Sequence, residues 1–315
     1  LLLAYKVGFS MNVAKLLGYG EQDRLLIINA DDFGVCHTTN VGIQKLLEGG
    51  VVSSATLMMP CGWAREAALW SARHPQFDVG VHLTLTSEWD HYKWGPVCRT
   101  HPTDTLVTEE GYFPKDTKTF ETQADPEQVR EELVAQIEMA LRLGMKPSHA
   151  DNHMGSLYGL ATGRDFLDIV FDVCAQYGLP FRLPRYLLQE NGQVAPPEMA
   201  DLARKRADEA NAKGVLVLDY LLGLPFGMAE GETYSSLKSD MQALLRSLRP
   251  GVSEIIIHPS PVTDELRAFH GQPDKRGMEM DLFRDPEVQE TIREEGIILI
   301  RWKDLQNVQR GLRNL

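Results

Sequence analysis

Along the chain, short runs of apolar and β-branched residues bounded by turn residues alternate with longer stretches whose apolar positions recur at helical spacing. Eight runs read as strands: 25–29, 54–58, 79–83, 148–151, 181–183, 215–219, 254–258 and 297–301. Between them, helices are expected over 39–47, 63–73, 126–143, 164–177, 197–212, 233–248 and 286–294, with a last one over 303–310. Asp125 before Pro126 has the chemistry of an N-cap followed by a first helical residue, and Gly144 and Gly178 stand where helices stop. Strict alternation requires parallel strands joined by crossover helices. Eight such units predict an α/β fold closed into a TIM-like (β/α) barrel, open to distortion, rather than an open sheet.

In such a barrel the loops that follow the strands form the active face. Two of them are long: 84–124, rich in Trp, Tyr, His, Pro and Gly, and 259–285, which is polar and carries His270. Loops of this length in a compact domain are usually functional. Length changes the picture little: 315 residues accommodate one barrel of about 250 with extra loops. Residues 24–315 are therefore expected to form a single domain, preceded by an N-terminal helical extension over 1–23 with a short helix at 13–18.

The net charge of −12, with no dense Lys or Arg run, argues against a nucleic-acid partner and favours a neutral or weakly charged substrate. No apolar run reaches the ~20 residues needed to cross a bilayer. Residues 1–17 are interrupted by Lys6, Gly8, Ser10, Asn12 and Lys15 and do not read as a signal peptide. Cys36, Cys61, Cys98 and Cys174 form no C-x-x-C pair, so a reducing, cytoplasmic setting is expected. A homodimer is a possible assembly.

Three motifs carry candidate chemistry. Asn29-Ala30-Asp31-Asp32-Phe33-Gly34 sets two adjacent carboxylates at the end of the first strand, where burial and mutual repulsion are costly unless a cation resolves them. Val79-Gly80-Val81-His82-Leu83 holds a histidine within a strand, and Ser148-His149-Ala150-Asp151-Asn152-His153 ends the fourth. Each has an ordinary explanation by itself: a turn or capping pair, or a core histidine. The barrel, however, brings all three strand ends to one rim. Asp32, His82 and His153 then form a facial set for one divalent ion, with coordination positions left open.

The neighbouring Asp31 is placed to act as general base, and His258, ending the seventh strand, to protonate a leaving group. Asp151 and His149 are candidates to orient the metal histidines, and Arg182 or Arg185 to pair with Asp31 or bind substrate. Trp89, Tyr92 and Trp94 suit the apolar face of a sugar ring or, equally, serve to pin their loop.

With these residues the chain resembles the YdjC-like carbohydrate deacetylases, the family that includes chitooligosaccharide deacetylases. Residues 25–34 with Asn40, Gly42 and Ile43 look like the family's N-A-D-D-F-G opening, and 80–84 like its G-x-H-x-x-L-T-type strand. Residues 147–153 look like its K-P-[ST]-H-x-D-x-H segment, and His258-Pro259 is similar to its late His-Pro. The resemblance implies a barrel related to the polysaccharide deacetylase fold, an ion on Asp32, His82 and His153, Asp31 as catalytic base, and removal of acetyl from an N-acetylated sugar. Two imidazoles favour Zn²⁺, whereas the resemblance points also to Mg²⁺. In two places the chain departs from the pattern: Met154-Gly155 follows His153 where chitooligosaccharide deacetylases carry further histidines, and the 84–124 loop is distinct. The rival readings are a metal-dependent phosphoesterase, a glycoside hydrolase, which needs two carboxylates flanking the bond, and a catalytically silent sugar-binding protein.

Overall fold

In a computed structural model the described residues are 12–188 and 195–313; the first eleven residues of the expected N-terminal extension lie outside them. In the first half of the chain the elements are α1 (Val13–Leu16), β1 (Arg24–Phe33), α2 (His37–Glu48), β2 (Ser54–Leu57), α3 (Ala64–Arg73), β3 (Val79–Leu83), α4 (Thr117–Gln123), α5 (Pro126–Arg142) and β4 (Ala150–Asn152). Then come α6 (Leu167–Tyr177), α7 (Pro197–Ala212), β5 (Tyr220–Gly223), α8 (Tyr234–Arg246), β6 (Gly251–Ile257), α9 (Asp264–Arg267), α10 (Pro273–Leu282), α11 (Pro286–Glu294), β7 (Ile298–Leu299) and α12 (Trp302–Arg313). Among the described residues no helix is long and apolar enough to cross a membrane.

All strand pairs are parallel, in the order β4-β3-β2-β1-β6-β5. One edge of β1 pairs with β6 from Arg24 to Ala30; its other edge is shared, with β7 against Leu25 and Leu26 and β2 against Asn29, Ala30 and Phe33. Between β4 and β5 the ring is completed by single bridges, Ala150 with Phe181 and Pro184 with Leu218. There the N–H groups of Phe181 and Leu218 donate to the carbonyls of Leu216 and Leu183 at 3.0 and 3.1 Å. The pairings close into a distorted (β/α) barrel, as the alternation predicts.

Three of the eight predicted strands differ in detail. Residues 181–183 form no regular strand, because Pro180 and Pro184 flank them and neither can donate to a ladder. Regular pairing in the next segment starts at Tyr220, after the predicted 215–219, and the last strand shrinks to two residues. The long loops also contain α4, α9 and α10, which were not expected; α4 and α9 are capped by the side chains of Asp116 and Thr263.

Alternation along β1 explains the barrel's layers. Leu25 and Ile27 join α1, Trp302 and Leu305 in an apolar plug, whereas Leu26, Ile28 and Ala30 pack in the main core with residues of the surrounding helices. Asn29 and Asp31 continue the inward series above the plug. The lowest layer, around Leu25, is thus apolar, and polar side chains enter the interior from Glu254 and Asn29 upward.

Candidate metal centre

Strict alternation would send Asp32 away from the face that Asp31 occupies. Instead, the β1 register slips between Ala30 and Phe33, and Asp32 adopts φ +65°, a left-handed conformation that costs a non-glycine residue about 1–2 kcal/mol. This turn brings two consecutive carboxylates to one site. Gly34 follows at φ +91°, where a Cβ would stand 3.0 Å from the Ala64 backbone, and its N–H donates to Asn40 Oδ1 at 2.7 Å. The motif glycine and asparagine therefore shape the turn.

His82 lies opposite Asp151 in the β3–β4 register, and its Nδ1 sits 2.6 Å from Asp151 Oδ1. His153 follows β4, with Nε2 at 2.9 Å from Glu88 Oε2. Each ring thus spends its far nitrogen on a carboxylate and turns the other toward Asp32: His82 Nε2 lies 3.6 Å and His153 Nδ1 3.5 Å from Asp32 Oδ1. That oxygen is fully buried and has no hydrogen-bond partner. Carboxylates behind both rings and an orphaned oxygen between them are what a cation site requires, so Asp32, His82 and His153 fit a metal ion.

The field at the site is negative where the cation would stand. Burial alone would raise the Asp32 carboxyl and lower the His153 imidazole; instead Arg276 and the neighbouring histidines hold Asp32 well below its ordinary value. Glu88 and Asp32 push His153 up to about 10. A second group, Asp31, His82 and Asp151, has similar spacing, but Arg182 already neutralises both of its carboxylates.

Asp31 stands beside the ion site, its Oδ2 3.8 Å from His82 Nε2, and is paired with Arg182. Burial opposes its charge, yet the Arg182 guanidinium keeps the carboxyl well below the ordinary range by donating to both oxygens at 2.7 Å. Asn29 Nδ2 donates to Asp31 Oδ1 at 2.7 Å. Arg182 also meets Asp151 Oδ2 at 2.8 Å and Glu254 Oε1 at 2.6 Å. With three carboxylates around one guanidinium, Glu254 is the member that burial pushes up to about 8.

The other predicted residues divide. His258 lines the cavity, its backbone N–H donating to Glu279 Oε2 at 2.6 Å. Trp89 also lines it, packed against Phe269 and covered by the Arg276 guanidinium at 5.8 Å. Trp94 is only 3% exposed and donates to the Thr86 carbonyl, so it pins the loop. His149 bonds neither metal histidine: it stacks on Trp302 at 4.6 Å beneath the site and fills space a Cβ on Gly80 would need. Arg185 turns away to Asp208 at 2.6 Å.

Glu88, Arg276, Glu254 and Glu279 were not anticipated. Arg276 donates to Asp32 Oδ2 at 2.6 Å and to His270 Nε2 at 2.7 Å, across 244 residues of sequence in the first case. A glutamate at the mouth of the loop after β3 was the only available hint of Glu88. Around these groups lies a cavity of about 540 Å³ open to solvent, large enough for a small ligand.

Fold and site together define a parallel (β/α) barrel with a buried Asp-His-His cluster at its C-terminal rim whose chemistry fits a metal ion. The chain belongs to the YdjC-like protein family, whose profile matches residues 25–294. It is 30% identical over 286 residues to a carbohydrate deacetylase of Thermus thermophilus, covering 90% of this chain and 95% of the relative. A chitooligosaccharide deacetylase of Yersinia enterocolitica is 26% identical, with 90% and 99% covered. The crystal structure of a proposed cellobiose-phosphate cleavage protein from Enterococcus faecalis superposes with a TM-score of 0.70 at 28% identity, covering 90% of this chain and 99% of that one.

Proposed function

We propose that the chain is a metal-dependent carbohydrate deacetylase that hydrolyses the N-acetyl group of an amino sugar or short oligosaccharide to acetate and free amine. The observation that carries this reading is the division of labour between adjacent carboxylates: Asp32 faces two imidazoles, and Asp31 is held ionised on Arg182. A divalent ion, Mg²⁺ or Zn²⁺, on Asp32, His82 and His153 would supply Lewis acidity to a water and to the acetamide carbonyl. Asp31 accepts the proton of the attacking water, and the Arg182 guanidinium keeps that carboxylate ionised and aimed. His258, from the end of β6 beside β1, delivers a proton to the departing amine nitrogen. Asp151 and Glu88 fix the two ligand rings, and Arg276 holds the second oxygen of Asp32.

Two further expectations belong to the same reading. Residues 24–315 act as one barrel domain with 1–23 as its extension, and a reducing cytoplasmic setting suits four cysteines that are all free and buried. The activity is tested by incubating the purified protein with N-acetylated mono- and oligosaccharides plus Mg²⁺, Zn²⁺ or Co²⁺ and assaying acetate. Release that is abolished by chelation is expected; no release across the panel would contradict the reading.

A further inference from the structure

A positive charge behind a metal ligand acts opposite to a negative one: it draws electron density from the ligand and repels the ion. Two of the three residues that fit the ion are backed by carboxylates, His82 by Asp151 and His153 by Glu88. The third is backed by a cation. Arg276 Nη2 donates to Asp32 Oδ2 at 2.6 Å, while Asp32 Oδ1 faces both imidazoles. We propose that Arg276 is a positioning residue that tunes the ion through Asp32, lowering the affinity of the site for a divalent cation and leaving the bound ion more electrophilic. This role rests on the metal-dependent reading above.

The guanidinium is placed so that its charge is felt. Arg276 is only 7% exposed, so little water screens it. Its Nε donates to His270 Nε2 at 2.7 Å, and that ring is a neutral partner, because burial and the Arg276 charge push it down to about 4. Nη1 is buried without a hydrogen-bond partner. The Trp89 ring lies 5.8 Å from the guanidinium carbon, a contact that favours the charged form without cancelling it. Among the described residues, Asp32 is the one carboxylate that pairs with Arg276. Arg182 offers the contrast, since it divides its charge among Asp31, Asp151 and Glu254.

The charge is also fixed in place, because α10 is tied to three other parts of the barrel. Lys275 Nζ donates to Glu232 Oε1 at 2.6 Å ahead of α8, Arg276 reaches Asp32 in β1, and Glu279 Oε2 accepts the His258 N–H after β6. Between these ties Gly277 packs so closely that a Cβ there would stand 2.5 Å from Val262 Cγ2. Held in this way, Arg276 could act on Asp32 by orientation or by charge, and the two effects have opposite signs. Loss of orientation weakens ion binding. Loss of charge strengthens it.

The test measures Zn²⁺ affinity by competition with a chelator of known affinity, with acetate release from N-acetylated sugars followed separately. Expected is a Zn²⁺ Kd about tenfold lower in R276Q, the worth of one partly screened charge near the ion. R276K, which keeps the charge, should stay within about threefold of wild type, and kcat should fall about tenfold in R276Q as the ion becomes less electrophilic. R276M, uncharged and similar in length, gives the same reading of Kd where the glutamine variant does not fold. An unchanged or weaker affinity in the uncharged variants would overturn the inference and leave Arg276 as a residue that merely orients Asp32. Tighter Zn²⁺ binding in R276Q with no acetate released by wild type would count against the deacetylase reading and leave the tuning role standing, whereas a wild type that binds no Zn²⁺ would overturn both.

Discussion

The two sides of the barrel build the site by different means. On the β1–β4 side, strands in register deliver Asp31, Asp32, His82 and Asp151, with a slip that turns Asp32 inward, and His153 follows β4 just before the left-handed Met154. Elsewhere on the rim, β6 in register with β1 delivers His258, whereas a single bridge and the α10 helix deliver Arg182 and Arg276. The first side carries the Asp32, His82 and His153 cluster that fits an ion. The second supplies the guanidinium groups that compensate Asp31 and Asp32. A register is encoded by a local pattern, so ligand positions follow from strand ends; charge compensation is a matter of distant partners, and no local pattern announces it.

This contrast can be sharpened by experiment, beginning with its largest consequence. D31N should lower kcat about a thousandfold, within the range for loss of a general base, while metal content after dialysis stays at the wild-type level. An equal loss of metal would merge the two carboxylates' roles. D151N, which removes the carboxylate charge behind His82 Nδ1, should weaken metal affinity about 10–100-fold, measured by competition with a chelator of known affinity; unchanged affinity would mean that the charge behind the ring does not matter to the ligand.

Glu254 provides a test of charge compensation on the second side. Burial raises its folded value to about 8 from the ordinary 4.5, so the folded state binds this proton more tightly than the unfolded chain does. The associated stability is fully present below about 4.5 and is lost as pH rises through about 8. Denaturant titrations at pH 6 and pH 9 should show wild type losing more stability between the two than E254Q; parallel losses would place another group behind the effect. The smallest effect is expected at Arg185, which faces Asp208 outside the cavity. R185K should leave kcat and KM within about twofold.

Much of the first side was legible in the sequence. Asp32, His82 and His153 sit at or just after strand ends, so the alternation of strands and helices was enough to bring them together. The carboxylate behind His82 was also legible, because Asp151 lies two residues before His153 in an inward-facing series. His149 shares that inward parity, but it sits one layer lower, against Trp302, where it serves the core. Parity alone does not reveal height within the barrel. Arg182 and Arg185 were not ranked from sequence; the structure separates them, turning Arg182 to Asp31 and Arg185 to Asp208. Arg276 was illegible for a different reason. It lies in a helix, α10, within a loop whose polar composition suggested no element, and its partner Asp32 is reached only through tertiary folding.

The most direct test of the central claim is anomalous diffraction at the zinc edge from crystals of the Zn²⁺-loaded protein. One peak within coordination distance of Asp32, His82 and His153 is expected, with Asp31 still paired to Arg182. A peak elsewhere, or one at which Asp31 has left Arg182 to become a ligand, would contradict the division of labour between the two aspartates.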